Sequence, residues 1–208
     1  MLSTLEEIIS AQRLAPYKKG AGQDIERALE LYAWNMKIGA AFLPLFSATE
    51  VSLRNLTVKR LKEVYADPWW QDQRLLDLLA NKGKGIIKQA EGRIKKKGQD
   101  PDSGRMTAEL GFGFWENMFL EKYTRDLWVN LHDSFPHLPS TVDQQIFKAK
   151  CQKIRDLRNR IAHHEPIFHR NLSQDYAHCL ELIRWLSPAK VTWIRPHCAV
   201  ATLLRAKP

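Results

Sequence analysis

No stretch of this chain is long and apolar enough to be read as a membrane span. The longest apolar run, around Ile38–Phe46, is about nine residues and contains Pro44, against the roughly 20 a spanning helix needs. The amino terminus carries Glu6 and Glu7 and has no basic segment leading into an apolar run, so it does not read as a secretory leader. Cysteine is sparse: Cys151, Cys179 and Cys198 form no C-x-x-C pair. An odd number at wide spacing supports neither a disulfide framework nor a cysteine zinc site, and it fits a reducing cytosol. No segment alternates apolar and polar residues for long enough to predict a strand, and no repeat or low-complexity linker divides the chain. Gly83-Lys84-Gly85 is not a Walker A loop, because the first glycine and the Ser or Thr after the lysine are both missing. No nucleotide cofactor follows from it. These absences point to one soluble, cytoplasmic, all-α domain spanning residues 1–208, with no membrane partner, no cofactor and no bound metal.

Positive charge is plentiful. Thirty-two Lys and Arg against 23 Asp and Glu give +9 and an isoelectric point near 9.5, a balance that favours polyanionic partners, nucleic acid or an anionic membrane surface. The excess is local. Between residues 81 and 100, Lys82, Lys84, Lys88, Arg93, Lys95, Lys96 and Lys97 face only Glu91 and Asp100, which is +5 of the +9. Such a run is either a solvated helix face or loop, or a surface whose lysines track RNA phosphates, with Arg93, Lys95, Lys96 and Lys97 as its candidates.

Apolar periodicity lays out the helices. Leu5, Ile8 and Ile9, with Thr4 as a possible cap, predict a short packing helix ending near Pro16. From Asp24 the apolar positions recur at helical spacing and resume beyond Pro44 through Val64, giving two helices or one kinked at the proline. Glu50 and Arg54, four apart, form either a surface ion pair or part of a cleft. After the Asp67-Pro68 break, Trp69-Trp70 reads as a core plug or dimer contact ahead of a base-stacking platform, and residues 72–80 as a short helix. Asp100 to Gly104 is a loop. Leu110 to Trp115 is aromatic core, its two glycines suggesting close backbone packing. A short helix over 123–132 leads to a loop flanked by His132 and His137, both expected at the surface. The next helix starts near Thr141, capped by Ser140 or Thr141, and buries a stripe of Val142, Ile146, Phe147, Cys151, Ile154, Leu157 and Ile161. Two more follow, over 173–186 and about 191–205, the last interrupted by Pro196.

The helix with that stripe delivers the densest chemistry in the chain: Arg155, Arg158, Arg160, His163 and His164 within ten residues, ahead of Pro166. As a basic cluster in a last helical turn it suits the macrodipole without further function. His163, His164, Glu165 and His169 match neither H-E-x-x-H nor a zinc-finger pair, so no metal is predicted. Histidine and arginine together suit phosphodiester chemistry. Imidazole, with an ordinary pKa of about 6.5, gives or takes a proton near neutrality, and guanidinium holds non-bridging oxygens as charge builds. One geometric difficulty stands: five residues of ideal helix leave Arg158 and His163 roughly 140° apart around the axis. It eases if the helix unwinds before Pro166 and the arginine swings towards the histidine.

Arg158-Asn159, three residues, then His163 resembles the R-N-x-x-x-H form of the Arg-x4-6-His motif of HEPN domains, many of which are metal-independent ribonucleases. The surrounding L-R-N-R-I-A-H-H-E-P-I-F looks like the abortive-infection (Abi-like) branch of that superfamily. So do Glu50, Arg54, Asn55 and Trp69-Trp70 upstream, and Leu110, Phe112, Gly113, Phe114 and Trp115. The resemblance covers roughly Asp24 to Leu186. It implies a HEPN-like helical bundle with extra helices and a basic insertion, acting as an endoribonuclease in phage defence or a toxin system. His163 would be general acid or base with His164 in reserve, Arg158 the transition-state stabiliser and Asn159 the orienting group, supported by Glu50 and Arg54 and with Arg155 among the RNA contacts. It also implies a homodimer whose two motifs share a two-fold cleft, and a possible antitoxin or regulatory protein. The other reading is a non-catalytic module binding RNA or a protein partner.

Overall fold

A computed structural model describes residues 2–208, apart from the side chains of Leu2, Ser3 and Asn130, and among these residues there is no strand. The architecture is all-α. Its axis is a 41-residue helix, α3 (Ile25–Tyr65), capped by the Asp24 carboxylate accepting from the Arg27 N–H at 3.1 Å. Nearly every other element packs on α3: α2 (Ala11–Gly20), α5 (Ser103–Glu109), α6 (Phe112–Asn117), α7 (Val129–His132), α8 (Gln144–Ala162), α9 (Leu172–Leu186), α10 (Pro188–Ile194) and α11 (Val200–Arg205). α3 continues through Pro44 instead of dividing there. The proline removes the bond to the Ala40 carbonyl, a loss of about 3 kcal/mol in an isolated helix. Burial of Ile38, Phe42, Leu45 and Leu53 on both sides of it outweighs that loss.

The helices differ from sequence expectation chiefly at their ends. The amino-terminal helix is two, α1 (Leu2–Ile9) and α2, broken at Ser10, whose hydroxyl accepts from the Arg13 N–H. Pro16 lies inside α2, Thr4 is inside α1 instead of capping it, and Leu5 and Ile8 are exposed instead of packed. Asp72 starts the next helix as expected, but α4 (Gln73–Lys96) then runs on over the basic stretch, interrupted only at Ala80 (φ 53°, ψ −174°). At that break a Cβ on Gly83 would come within 2.6 Å of the Leu79 Cβ, so glycine is needed there. The expected loop at 100–104 is shorter, because Asp102 already caps α5.

Trp69 and Trp70 are core, fully buried or nearly so, with indole N–H groups donating to Ser103 Oγ (3.2 Å) and Glu91 Oε1 (3.1 Å). Leu110, Phe112, Phe114 and Trp115 are likewise buried. The reason expected for their glycines fails: a Cβ on Gly111 or Gly113 would meet nothing within 4 Å, and Gly111 stands at the N-cap of α6. His132 and His137 are exposed. Beneath α8, Phe147 gathers Phe119 (4.8 Å between ring centroids), Phe135 (4.9 Å) and Trp128 (5.6 Å) into one aromatic cluster. That cluster and α9 fix the helix carrying the basic motif.

Candidate active site

α8 begins at the Asp143 carboxylate, which accepts from the Ile146 N–H at 2.8 Å, and not at Ser140 or Thr141. Its stripe of Phe147, Cys151, Ile154 and Leu157 is buried as predicted; Ile146 is exposed. The stripe turns Arg158 outward. Helical geometry holds through Ala162, so the unwinding falls after His163 and the two motif groups keep their angular separation. The Arg158 guanidinium donates to Asn159 Oδ1 at 3.3 Å, and no hydrogen bond joins it to His163 among the described residues.

The helix closes in a Schellman turn. His163 is the C-cap, its N–H on the Asn159 carbonyl; His164 follows with φ 55°; the His164 and Glu165 N–H groups return to Ile161 (3.0 Å) and Arg160 (2.8 Å). His164 thus occupies the left-handed position that glycine usually fills. Where an apolar contact normally braces such a turn, the Arg160 guanidinium meets the Glu165 carboxylate at 3.2 Å. Distant elements hold the turn from outside. Arg13 of α2 donates to the His164 carbonyl at 2.6 Å, buried Asn35 of α3 accepts the Ile167 N–H at 2.8 Å, and Lys207 donates to the Phe168 carbonyl at 2.8 Å. The Phe168 ring lies 5.1 Å from that of Tyr17.

Ion pairing separates the basic residues into two groups. Arg155 is drawn inward onto Glu116, a buried carboxylate on α6, with Asp156 at 3.6 Å. Burial pushes the Glu116 carboxyl up, and the Arg155 guanidinium offsets this only in part. Arg160 pairs with Glu165, and Arg170 grips Asp175 through two bonds of 2.9 Å. Arg158, His163 and His164 are exposed and have no carboxylate within 4 Å among the described residues. Glu50 is nevertheless a neighbour of Arg158: with Phe46, Phe112, Ile154 and Arg155 they line one small cavity. The surface ion pair between Glu50 and Arg54 is not formed, and Arg54 lines a different cavity. His164 lines a third, a groove of about 450 Å3 between α3 and the end of α8, where Met36 and Leu43 are each 54% exposed beside Ala40 and Ala162.

On α4 the basic residues also divide. Arg93 and Lys97 both bind Glu109 (2.6 and 2.9 Å) and Lys84 binds Asp77 (2.8 Å), whereas Lys95 and Lys96 are exposed. Among the described residues no three His, Cys, Asp or Glu side chains gather to hold a metal ion. Burial pushes the Cys151 and Cys179 thiols up, as suits packing side chains. Among the described residues no helix is long and apolar enough to cross a membrane.

Asn35, Arg13, Lys207 and Glu116 were missed by motif and spacing, since each acts on the motif from far along the chain. Only Asn35 left a signal: it is polar between Leu31 and Ile38, on the buried face of a long apolar helix. No curated protein and no solved structure matches the chain. The sequence model of the Abi-like protein family matches residues 4–169, most of the chain, and the chain belongs to that family.

Proposed function

We propose that the chain is a metal-independent endoribonuclease of HEPN type whose working unit is a homodimer, with Arg158, Asn159 and His163 as its catalytic groups and phage defence or a toxin system as its setting. One observation carries this reading. Within a basic segment whose other arginines are each tied to an acid, Arg158 in the last turns of α8 and His163 at its C-cap are left exposed with no carboxylate partner, just ahead of a turn that Arg13, Asn35 and Lys207 hold in place.

RNA supplies its own nucleophile, so the protein needs only to move protons and hold charge. A neutral imidazole takes the 2′-hydroxyl proton, the 2′-oxygen attacks the adjacent phosphorus, and the bond to the 5′-oxygen breaks. That oxygen leaves with a proton from a second imidazole, giving a 2′,3′-cyclic phosphate and a 5′-hydroxyl. The Arg158 fork holds the non-bridging oxygens as charge grows, and Asn159, bonded to Arg158, orients it. His163 serves as acid or base, with His164 in reserve.

No hydrogen bond joins Arg158 to His163 within one chain, and one motif supplies one His163, so the reading puts two motifs across a two-fold axis. The exposed Met36 and Leu43 beside His164 offer an apolar surface next to the motif for that contact. A protein antitoxin or regulator would act by covering the same face. The test is labelled single-stranded RNA in EDTA. Cleavage should persist, fall about 10²–10⁴-fold in His163→Ala, and stop when the scissile nucleotide lacks its 2′-hydroxyl. Binding without cleavage, or full activity in His163→Ala, leaves a non-catalytic RNA- or protein-binding module. An active monomer by size measurement under assay conditions removes the two-fold cleft.

A further inference from the structure

One turn beyond Glu50 on α3, Arg54 turns into a cavity that the motif chemistry does not use. The cavity, about 390 Å3 and open to solvent, lies between α3 and α5 and is lined by Arg54, Asn55, Lys59 and Lys62 on one side and Ser103 and Thr107 on the other. No carboxylate lines it. The Arg54 Nε–H is buried without a hydrogen-bond partner, and Arg54 makes no ion pair among the described residues. The guanidinium therefore borders the cavity with its charge unneutralised by the chain, which favours an anion there.

The other lining groups are also donors. Asn55 and Lys59 are exposed and carry no ion pair, whereas Lys62 reaches Asp67 at 2.8 Å. Lys59 also borders a neighbouring cavity with Glu63 and Asp133, both of which contact Arg60. Ser103 Oγ accepts from the Trp69 indole, which leaves its own proton free to be donated. Thr107 is satisfied by the Ser103 carbonyl.

We infer that the cavity between α3 and α5 is a second phosphate subsite, in which Arg54, Asn55 and Lys59 hold a backbone phosphodiester of a single strand whose neighbouring phosphate lies at Arg158. A guanidinium, an amide, an ammonium and a hydroxyl spread around an open cavity suit a tetrahedral anion with several oxygens better than a planar carboxylate. Glu50 and Arg54 are about 6 Å apart along the α3 axis, and Glu50 already lines the cavity of Arg158, so the two sites follow one another on the same helix. The subsite rests on the proposed RNA chemistry for its ligand, yet it can be measured on a strand that cannot be cleaved.

The experiment titrates a labelled single-stranded 2′-deoxyoligonucleotide into the full-length protein at several salt concentrations, for wild type, Arg54→Gln and Lys59→Gln. Arg54→Gln should weaken binding about 10- to 100-fold. Each variant should lower the slope of log affinity against log salt by about 0.7, the value for one single-strand phosphate contact. Arg54→Gln should melt no lower than wild type, because it removes an unmet donor. Unchanged slopes in both variants overturn the subsite. So does a lower melting temperature in Arg54→Gln with no slope change in Lys59→Gln, which makes Arg54 structural. If inorganic phosphate raises the melting temperature through Arg54 while oligonucleotide binding is indifferent to it, the ligand is a free anion and the strand assignment fails. Should His163→Ala retain full cleavage while these slopes shift as expected, the subsite stands and the catalytic reading falls.

Discussion

α4 and α8 each end in a run of basic residues, and the two runs have been given different surroundings. On α4, Glu109 takes up both Arg93 and Lys97, and the remaining Lys95 and Lys96 stand on a helix face with nothing opposite them. On α8, Glu116, Glu165 and Asp175 take up the arginines around the motif, and the two groups left over, Arg158 and the C-cap His163, lie just ahead of a turn bonded to three distant parts of the chain. Basic residues are denser in the terminal run of α4, Arg93 to Lys97, but unneutralised charge beside a turn held by distant residues is found on α8. A long-range electrostatic contact needs only the first; transition-state stabilisation needs the second, because the donor must already point where charge will develop.

The largest expected effect breaks the comparison at α8. Arg158→Ala should lower RNA cleavage about 10²–10³-fold, the scale of removing one oxyanion donor. Lys95→Gln with Lys96→Gln should leave the rate at saturating RNA nearly unchanged and act on binding alone. Equal losses of maximal rate from both would erase the distinction between a reacting and an attracting surface. Next in size is the support of the turn. Asn35→Ala leaves the buried Ile167 N–H unmet, and should destabilise the protein by about 1–3 kcal/mol, seen as a lower melting temperature with a parallel fall in cleavage. A normal melt with normal cleavage would show that Arg13 and Lys207 suffice to hold the turn.

This division was only partly legible in the sequence. The all-α architecture and the buried stripe of α8 follow from apolar spacing, because burial over many residues dominates local detail. The helix ends were read less well. Ser140 and Thr141 looked like caps, but the Val142 N–H bonds the Pro139 carbonyl, which ties 139–142 into a turn and passes the cap to Asp143. Pro16 reads as a helix end and Pro44 as a break or a kink, but both lie inside helices, where tertiary packing overrides the missing N–H. Which arginines are free could not be read at all for Arg155, whose partner Glu116 lies 39 residues away on another helix. The Arg-Asn-x-x-x-His spacing fixed the candidates; only the fold showed that Arg158 escapes the neutralisation of its neighbours.

A smaller effect tests α4. Glu109→Gln should release Arg93 and Lys97 together and tighten binding of single-stranded RNA several-fold at low salt, with a steeper salt dependence. The hydrogen bonds from Lys97 and Arg93 hold the Glu109 carboxyl below its ordinary 4.5, so the variant should also weaken the stability change seen in strong acid. Unchanged affinity would mean that α4 does not meet the RNA, and the basic stretch is then a solvated face.

The smallest effect is a pH difference between the two helices. Burial, then the Lys150 and Lys153 ammoniums, push the His178 imidazole below its ordinary 6.5, on a face where Lys150 of α8 reaches both His178 (2.9 Å) and Glu181 of α9. The folded chain therefore binds that proton less well than the unfolded chain. The resulting stability is complete above pH 6.5 and is lost as pH falls from there through the lower folded value. Glu109 behaves with the same sign, but its loss begins only below 4.5. Mild acid should thus loosen the α8–α9 brace before the α4 clamp. In melting curves taken from about pH 8 to 5, His178→Gln should flatten the decline between neutrality and pH 5 while Glu109→Gln leaves it intact. The reverse pattern would place the acid-sensitive contact on α4 and leave α8 braced by its apolar stripe alone.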